Sequence, residues 1–241
     1  MQPTPQDYGA VAGPPDSHHR MRTMAYASLH AVAAGWLLIT GVSAAFAEPT
    51  RTGGLALAVN GVAGLAYVLM ARNRLFWGAS SPEASAVRTA VRSVDWLCTF
   101  PPMQVEVLLL LGVLPGGNVL EFALLPALAA VVVGIDLTLR AAFVEVRNAP
   151  LLWGAAQLVA ATLFVVQLVL LTNATPTVAA ADRSTTLFFV YLWCAYPVVS
   201  FVADGVRWGT AFDTELIEDV LFTLLDVVSK GGLAAYIALR N

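Results

Sequence analysis

The sequence predicts an all-α integral membrane protein, a bundle of seven transmembrane helices, and three observations carry that expectation. Of 241 residues, 58% are hydrophobic and only 12% charged, with a mean hydropathy of +0.73, far more apolar than a soluble domain. Seven apolar segments each approach the roughly 20 residues that a bilayer crossing needs. The connections between them are short, so that neighbours pack antiparallel in one compact bundle.

Taken in order, Met1 to Thr23 is rich in Pro, Gly, Asp and His, has no helical apolar period, and reads as a disordered polar tail before a helical domain at 24–241. The spans are Met24–Ala47, Gly54–Arg72, Val87–Val113, Val119–Phe143, Ala149–Leu171, Thr185–Val206 and Glu215–Leu239. Ala45-Phe46-Ala47 mimics a signal-peptidase site, but the apolar run before it is longer than a signal peptide's, so it is kept as the first span. Phe76, Trp77 and Trp208 fall at span ends, where interfacial aromatics belong.

The net charge of -3 and the absence of a basic stripe argue against nucleic acid as a partner; the bilayer is the partner that composition implies. Cys98 and Cys194 lie among apolar residues and read as small buried thiols, and no spacing suggests a metal site. His30 reads as a satisfied or interfacial histidine rather than a proton relay, and His18 and His19 belong to the tail.

The chemistry concentrates in two spans. Asp226 and Lys230 lie four residues apart in the apolar run from Val220 to Ala238, on one helix face. Lys230 is about ten residues from the chain end, too deep for easy snorkelling, and ionisable groups at that depth are usually functional. A desolvated lysine is the natural partner of an aldehyde, which makes Lys230 the candidate attachment point for an aldehyde cofactor.

The third span holds Arg92, Asp95 and Glu106, a costly set for one crossing. Asp95 and Glu106 are eleven residues apart, on nearly the same face and separated by roughly 16 Å along the axis. Thr99 lies one turn beyond Asp95 on that face and has the chemistry to bridge a carboxylate to the next donor. Pro101 and Pro102 free backbone carbonyls, which reads either as room for water or as a plain kink.

Together these residues resemble the microbial (type 1) rhodopsins, and in particular the proteorhodopsin-like proton pumps, over essentially all of Met24 to Asn241. Lys230 within Asp226-Val-Val-Ser-Lys matches the last-helix lysine of that family, and Arg92, Asp95-Trp96, Thr99 and Glu106 match its third helix. Trp193-Cys-Ala-Tyr196-Pro197 is similar to the sixth-helix aromatic wall, and Tyr67 to the second-helix tyrosine beside the counterion.

The resemblance implies all-trans retinal in the core, bound to Lys230 as a protonated Schiff base. It implies Asp95 as primary counterion and proton acceptor, Asp226 as second counterion, Glu106 as the donor that reprotonates the nitrogen, and Arg92 as the residue that orients the counterions. Trp96, Trp193, Tyr196, Pro197, Tyr67, Met103 and Ser229 would form the pocket, with Trp153 a weaker member. Glu218, twelve residues before Lys230, matches a release-group glutamate, and Asp204 lies near the second such position; for both, a solvated interfacial carboxylate is the competing reading. Three positions depart from the family pattern: Ala66 where proteorhodopsins carry a histidine, Ser200 where the sixth helix carries an aromatic, and Phe100 where haloarchaeal pumps carry a second threonine.

The expected function is a light-driven proton pump in the plasma membrane, not an enzyme, assembled as a homo-oligomer, trimer or pentamer. The alternatives are inward transport through an inverted bundle and a sensory photoreceptor that signals to a transducer. Sodium or chloride pumping fits Asp95, Thr99 and Glu106 less well, and nothing favours a channel. Orientation is contested. The resemblance places the N-terminus outside, whereas Arg20, Arg22, Arg72, Arg74, Arg88, Arg140, Arg147 and Arg207 on the N-terminal side outnumber Arg51, Arg183 and Arg240 opposite, and that count favours a cytoplasmic N-terminus. The family orientation is the one adopted as the expectation.

Overall fold

A computed structural model describes residues 17–78, 81–112, 119–142, 150–173, 180–200 and 214–240, and every regular element among them is helical. In chain order these are α1 (Ser17–Ala47), α2 (Arg51–Trp77), α3 (Pro82–Leu110), α4 (Val119–Ala142), α5 (Pro150–Asn173), α6 (Ala180–Leu192), α7 (Thr214–Asp226), a π-helical turn (Val227–Gly231) and α8 (Gly232–Leu239). The last three form one continuous seventh rod. Chain neighbours pack side by side from α1 to α5, and α8 closes the ring against α1 and α2.

Helix α1 begins at Ser17 rather than at Met24, so 17–23, expected in the polar tail, are helical. Nothing between Ser17 and Ala34 breaks a helix, since neither Pro nor Gly occurs there; polarity misled the reading, not propensity. Helix α2 also outlasts its expected end at Arg72 and stops after Trp77. There Gly78 takes φ 83° and returns its N–H to the Arg74 carbonyl, a backbone conformation that glycine adopts without strain. Helix α3 starts with Pro82 in its first turn and the Ser81 side chain accepting from Ala84 N, which satisfies one of the donors that every helix start leaves open.

Four of these helices are long and apolar enough to cross a membrane by length and composition, at His19–Ala47, Arg51–Trp77, Gly154–Leu171 and Leu216–Leu239. Helix α3 fails that measure because it carries Arg88, Arg92, Asp95 and Glu106, all of them buried inside the bundle. It continues helical through Pro101 and Pro102. The two missing N–H groups leave the Leu97 and Cys98 carbonyls without their ordinary helical donors.

Small residues let α1 and α2 approach closely. A Cβ on Gly41 would sit 2.8 Å from Asn60 Cβ, and one on Gly64 would sit 2.9 Å from Leu38 Cγ. The sixth span changes pitch before Pro197: Trp193 N, Cys194 N and Tyr196 N each reach back three residues, to Val190 O, Tyr191 O and Trp193 O. Pro197 has no N–H for the Trp193 carbonyl, and the tightened turn supplies Tyr196 N instead.

The seventh rod is the one that sets the site. In its π turn the Gly232 N–H reaches Val227 O as well as Val228 O, and Val227 O also accepts from Trp36 Nε1 at 3.2 Å. Asn60 Nδ2 approaches the Lys230 carbonyl at 3.4 Å. Helices α1 and α2 therefore both grip the turn that carries Lys230. Gly231 faces the Trp36 indole so closely that a Cβ there would overlap its Nε1 and Cδ1. Replacing Gly231 with Ala should destabilise the protein by about 1–3 kcal/mol through overpacking, read as a lower thermal midpoint in detergent, and Trp36→Leu in the same chain should recover part of the loss.

Candidate functional site

Lys230 Nζ lies between two carboxylates, 2.7 Å from Asp95 Oδ2 and 3.2 Å from Asp226 Oδ1, with all three side chains buried. The helix spacing read from the sequence brings Asp226 beneath Lys230, and the α3 face brings Asp95 to it from across the bundle. The two carboxylates differ in what else they hold. Asp226 accepts from Tyr67 Oη at 2.8 Å and from Tyr196 Oη at 2.6 Å, and Tyr196 Oη also shares a hydrogen bond with Ser229 Oγ at 2.8 Å. Asp95 Oδ1 has no hydrogen-bond partner among the described residues. Thr99, expected to bridge the Asp95 carboxylate, instead donates its hydroxyl to the Asp95 main-chain oxygen at 2.8 Å, the back-bond a threonine makes one helical turn on.

A cavity lies against Lys230 and Asp226. Its wall includes Trp96, Thr99, Met103, Trp193, Tyr196 and Pro197 together with Lys230 and Asp226, and Phe100, Gln157, Ala160, Ala161, Phe164, Val132, Val133 and Ser200 complete it. Aromatic rings shape it: Trp96 meets Tyr196 edge-on at 5.7 Å and Phe222 at 4.9 Å, while Phe100 stacks on Phe164 at 6.2 Å and meets Trp193 edge-on at 5.4 Å. Phe100 and Ser200, two of the three departures from the family pattern, are thus both cavity walls. Tyr67 stands outside the cavity and acts on it through Asp226. The α4 and α5 contributors carried no signal in the sequence, because an apolar residue lining a pocket looks like one facing lipid. Trp153 falls in α5 with its side chain outside the described set, and Asp204 lies outside the described residues altogether.

Glu106 is buried, and its Oε1 has no partner among the described residues. Glu218 is buried too, 3.9 Å from Arg88 Nη2, so the solvated, interfacial reading of it does not hold: its helix turns it into the bundle, not toward solvent. Two further readings change. Cys98 is exposed on the outer face of α3, and Cys194 is only half-buried. His30 is completely buried, and neither ring nitrogen has a hydrogen-bond partner among the described residues, so it is neither interfacial nor satisfied.

Sequence reasoning missed Asp219. Its Oδ1 accepts from Arg88 Nη1 at 2.6 Å and Arg92 Nη2 at 2.9 Å, and its Oδ2 from Arg74 Nη2 at 3.3 Å, with His30 Nε2 3.9 Å away. The signal was present, since Asp219 precedes Lys230 by eleven residues and so returns to nearly the same helix face. The same cluster alters the orientation argument. Arg74 and Arg88 are buried and paired, so they do not belong in a count of juxtamembrane charge, and the excess falls from eight against three to six against three.

The Tyr67–Asp226 contact gives a stability prediction. Tyr67→Phe removes the donor to Asp226 Oδ2 while keeping the ring, and the unsatisfied buried oxygen should cost about 1–3 kcal/mol. Thermal unfolding of the retinal-free protein would measure it, and an unchanged midpoint would refute it.

A model for the family described as bacteriorhodopsin-like protein matches residues 19–240. Opsin-1 of Neurospora crassa is 32% identical over 165 residues, a match spanning 65% of this chain and 46% of that relative's length. Among solved structures, xanthorhodopsin, a light-driven ion pump with dual chromophore, superposes with a TM-score of 0.73 at 18% identity, covering 91% of this chain and 94% of its own. The light-driven proton pump of Coccomyxa subellipsoidea gives a TM-score of 0.66 at 18% identity, over 90% and 96% of the two chains. These two likenesses show the seven-helix fold, and the family match extends from α1 to the end of α8: the chain belongs to the bacteriorhodopsin-like family, the microbial rhodopsins.

Proposed function

We propose that the protein is a light-driven proton pump whose acceptor is Asp95, whose donor is Glu106 and whose chromophore is retinal joined to Lys230. The observation that carries this reading is the inequality of the two carboxylates around Lys230 Nζ. Asp226 already accepts from two phenols, so its lone pairs are engaged. Asp95 has one oxygen on Lys230 and one without a partner, so a proton arriving there displaces no other donor.

The cavity fits retinal. It is apolar, it is walled by Trp96, Trp193 and Tyr196, and Lys230 is part of its lining, which suits a conjugated hydrocarbon chain ending in an aldehyde. When bound, retinal supplies absorption of visible light and a change of shape that alters the surroundings of the Lys230 nitrogen. The chain's own residues do the rest. Asp226 and Asp95 hold the nitrogen cationic, Asp95 takes its proton, and Tyr67 and Tyr196 keep Asp226 fixed as the charge that remains. Glu106, buried and eleven residues along α3 from Asp95 on the same face, returns a proton to the nitrogen.

Replacing Lys230 with Ala should abolish visible absorption after incubation with all-trans retinal. A coloured Lys230→Ala protein would overturn the assignment. Glu106→Gln should slow the recovery of the initial state by roughly 100-fold, the scale at which a positioned acid contributes, in a flash-photolysis measurement; an unchanged recovery would remove Glu106 from the donor role.

The direction of transport is measured in intact cells carrying the protein and retinal, in unbuffered suspension, illuminated with and without a protonophore. We expect acidification that the protonophore abolishes. Alkalinisation abolished by the protonophore would mean inward transport by an inverted bundle, and a coloured protein that moves no protons would favour the sensory reading.

A further inference from the structure

Gln157 lies in the cavity wall and takes no part in the proton transfers just described. Other polar groups of that wall are committed: the Thr99 hydroxyl to the Asp95 main-chain oxygen, the Tyr196 phenol to Asp226 and Ser229, and the Lys230 ammonium to Asp95 and Asp226. The half-buried Gln157 amide makes no hydrogen bond to any described residue. The Trp96 and Trp193 indole N–H groups also have no partner among the described residues, but those two nitrogens are fully enclosed. The Gln157 amide is not enclosed in that way and stays accessible. A primary amide in the hydrocarbon layer with nothing to pair with costs free energy, and a ligand that supplies the missing partner recovers it.

The amide and Lys230 belong to different walls. Lys230 is carried by the seventh rod, which packs on α1 and α2, whereas α5 packs on α4 and α6. A long ligand tethered at Lys230 and confined to this cavity therefore extends away from the rod, toward Val132 and Val133 of α4 and the cavity face of α5. On α5, Gln157 is followed by Ala160 and Ala161, three and four residues on and so on the same helix face. The two alanines fill little space one turn from the amide. A substituent lodged beside Gln157 meets methyl groups there instead of a long side chain.

We propose that Gln157 is a specificity-determining residue that selects a retinal bearing a hydroxyl group on its ring over retinal with a plain hydrocarbon ring. The proposal rests on the reading above that retinal is joined to Lys230, which puts the aldehyde carbon at the rod and leaves the ring on the α4 and α5 side. An amide offers N–H donors and a carbonyl acceptor, and a hydroxyl is donor and acceptor at once, so the two are complementary. A plain ring occupies the same space and leaves the amide without a partner, which is the costly case. A site that pairs with a hydroxyl discriminates for this reason against the analogue that lacks it.

The test is a competition. Limiting retinal-free protein is incubated with equal amounts of all-trans retinal and all-trans 3-hydroxyretinal, and separately of all-trans retinal and all-trans 4-hydroxyretinal; the bound aldehydes are released with hydroxylamine and quantified by chromatography. We expect at least one hydroxylated form to be taken up about tenfold over retinal, the scale of a single hydrogen bond. Gln157→Leu should bring that ratio close to unity, and Gln157→Met, which keeps the length of the side chain without its amide, serves where the leucine variant fails to fold. Equal uptake of every form by the parent would overturn the proposal. So would a preference that survives the loss of the amide, since room beside Ala160 and Ala161 would then be its cause. Uptake of retinal without preference leaves the Lys230 assignment standing, whereas a protein that takes up none of the three aldehydes overturns that assignment and the selection with it.

Discussion

The structure depends on keeping one ammonium charged in a place where water cannot solvate it. Isolated, a buried lysine in a membrane bundle would lose several kcal/mol to desolvation. Lys230 avoids this by having Asp95 and Asp226 within 3.2 Å. The remedy creates its own difficulty, because two buried carboxylates around one cation leave an uncompensated negative charge. Tyr67 and Tyr196 take up part of it by donating to Asp226. The rest is met at longer range by the arginine cluster on Asp219, whose surplus is of the opposite sign. Four cations thus face four carboxylates across α2, α3 and the seventh rod, and the two half-clusters are each unbalanced in the sense that the other corrects.

That distribution explains why the π turn matters. Lys230 and Asp226 share one rod, and any rotation of the turn between them would change which oxygens the ammonium meets. Trp36 holds Val227 O and Asn60 approaches the Lys230 carbonyl, so the backbone from which Lys230 projects is fixed by α1 and α2 rather than by its own helix alone. Val227 O accepts from the Gly232 N–H within the turn and from the Trp36 indole outside it, so a carbonyl's second lone pair carries the contact to α1.

Much of this was legible in the sequence, and the parts that were not share a cause. The seven-segment pattern, the Asp226–Lys230 spacing and the Arg92–Asp95–Glu106 ladder are periodicity and charge, the two signals that survive without coordinates, and they gave the fold class and the site's centre. The extra turns of α1 at Ser17–Thr23 were hidden because apolar period was the criterion and those residues are polar. The roles of α4 and α5 in the cavity were hidden because apolarity does not say which face is outward. Asp219 was legible in principle, eleven residues before Lys230 on its face, but it sat beside Glu218 and near a span end, where one more acid looks solvated. Arg74 and Arg88 hid in the same way and biased the orientation count.

The two ends of the proposed proton path differ in kind, and the difference bears on direction in the frame of the molecule. On the Asp95 side the polar groups form two bonded networks, Asp226 with two tyrosines and Asp219 with Arg92 and the remaining arginines. Such a network holds charges in place and accommodates a change of one charge by small shifts of several partners. On the Glu106 side the carboxyl is buried with an oxygen that has no partner among the described residues, the setting in which the proposed donor sits. In the proposed path a proton on the Lys230 nitrogen has the acceptor Asp95 ahead of it and the donor Glu106 behind it. Asymmetry of that sort comes from which residues surround each acid, not from which side of the membrane the N-terminus occupies, so the vector from Glu106 through Lys230 to Asp95 would survive an inverted insertion and only its meaning for the cell would change.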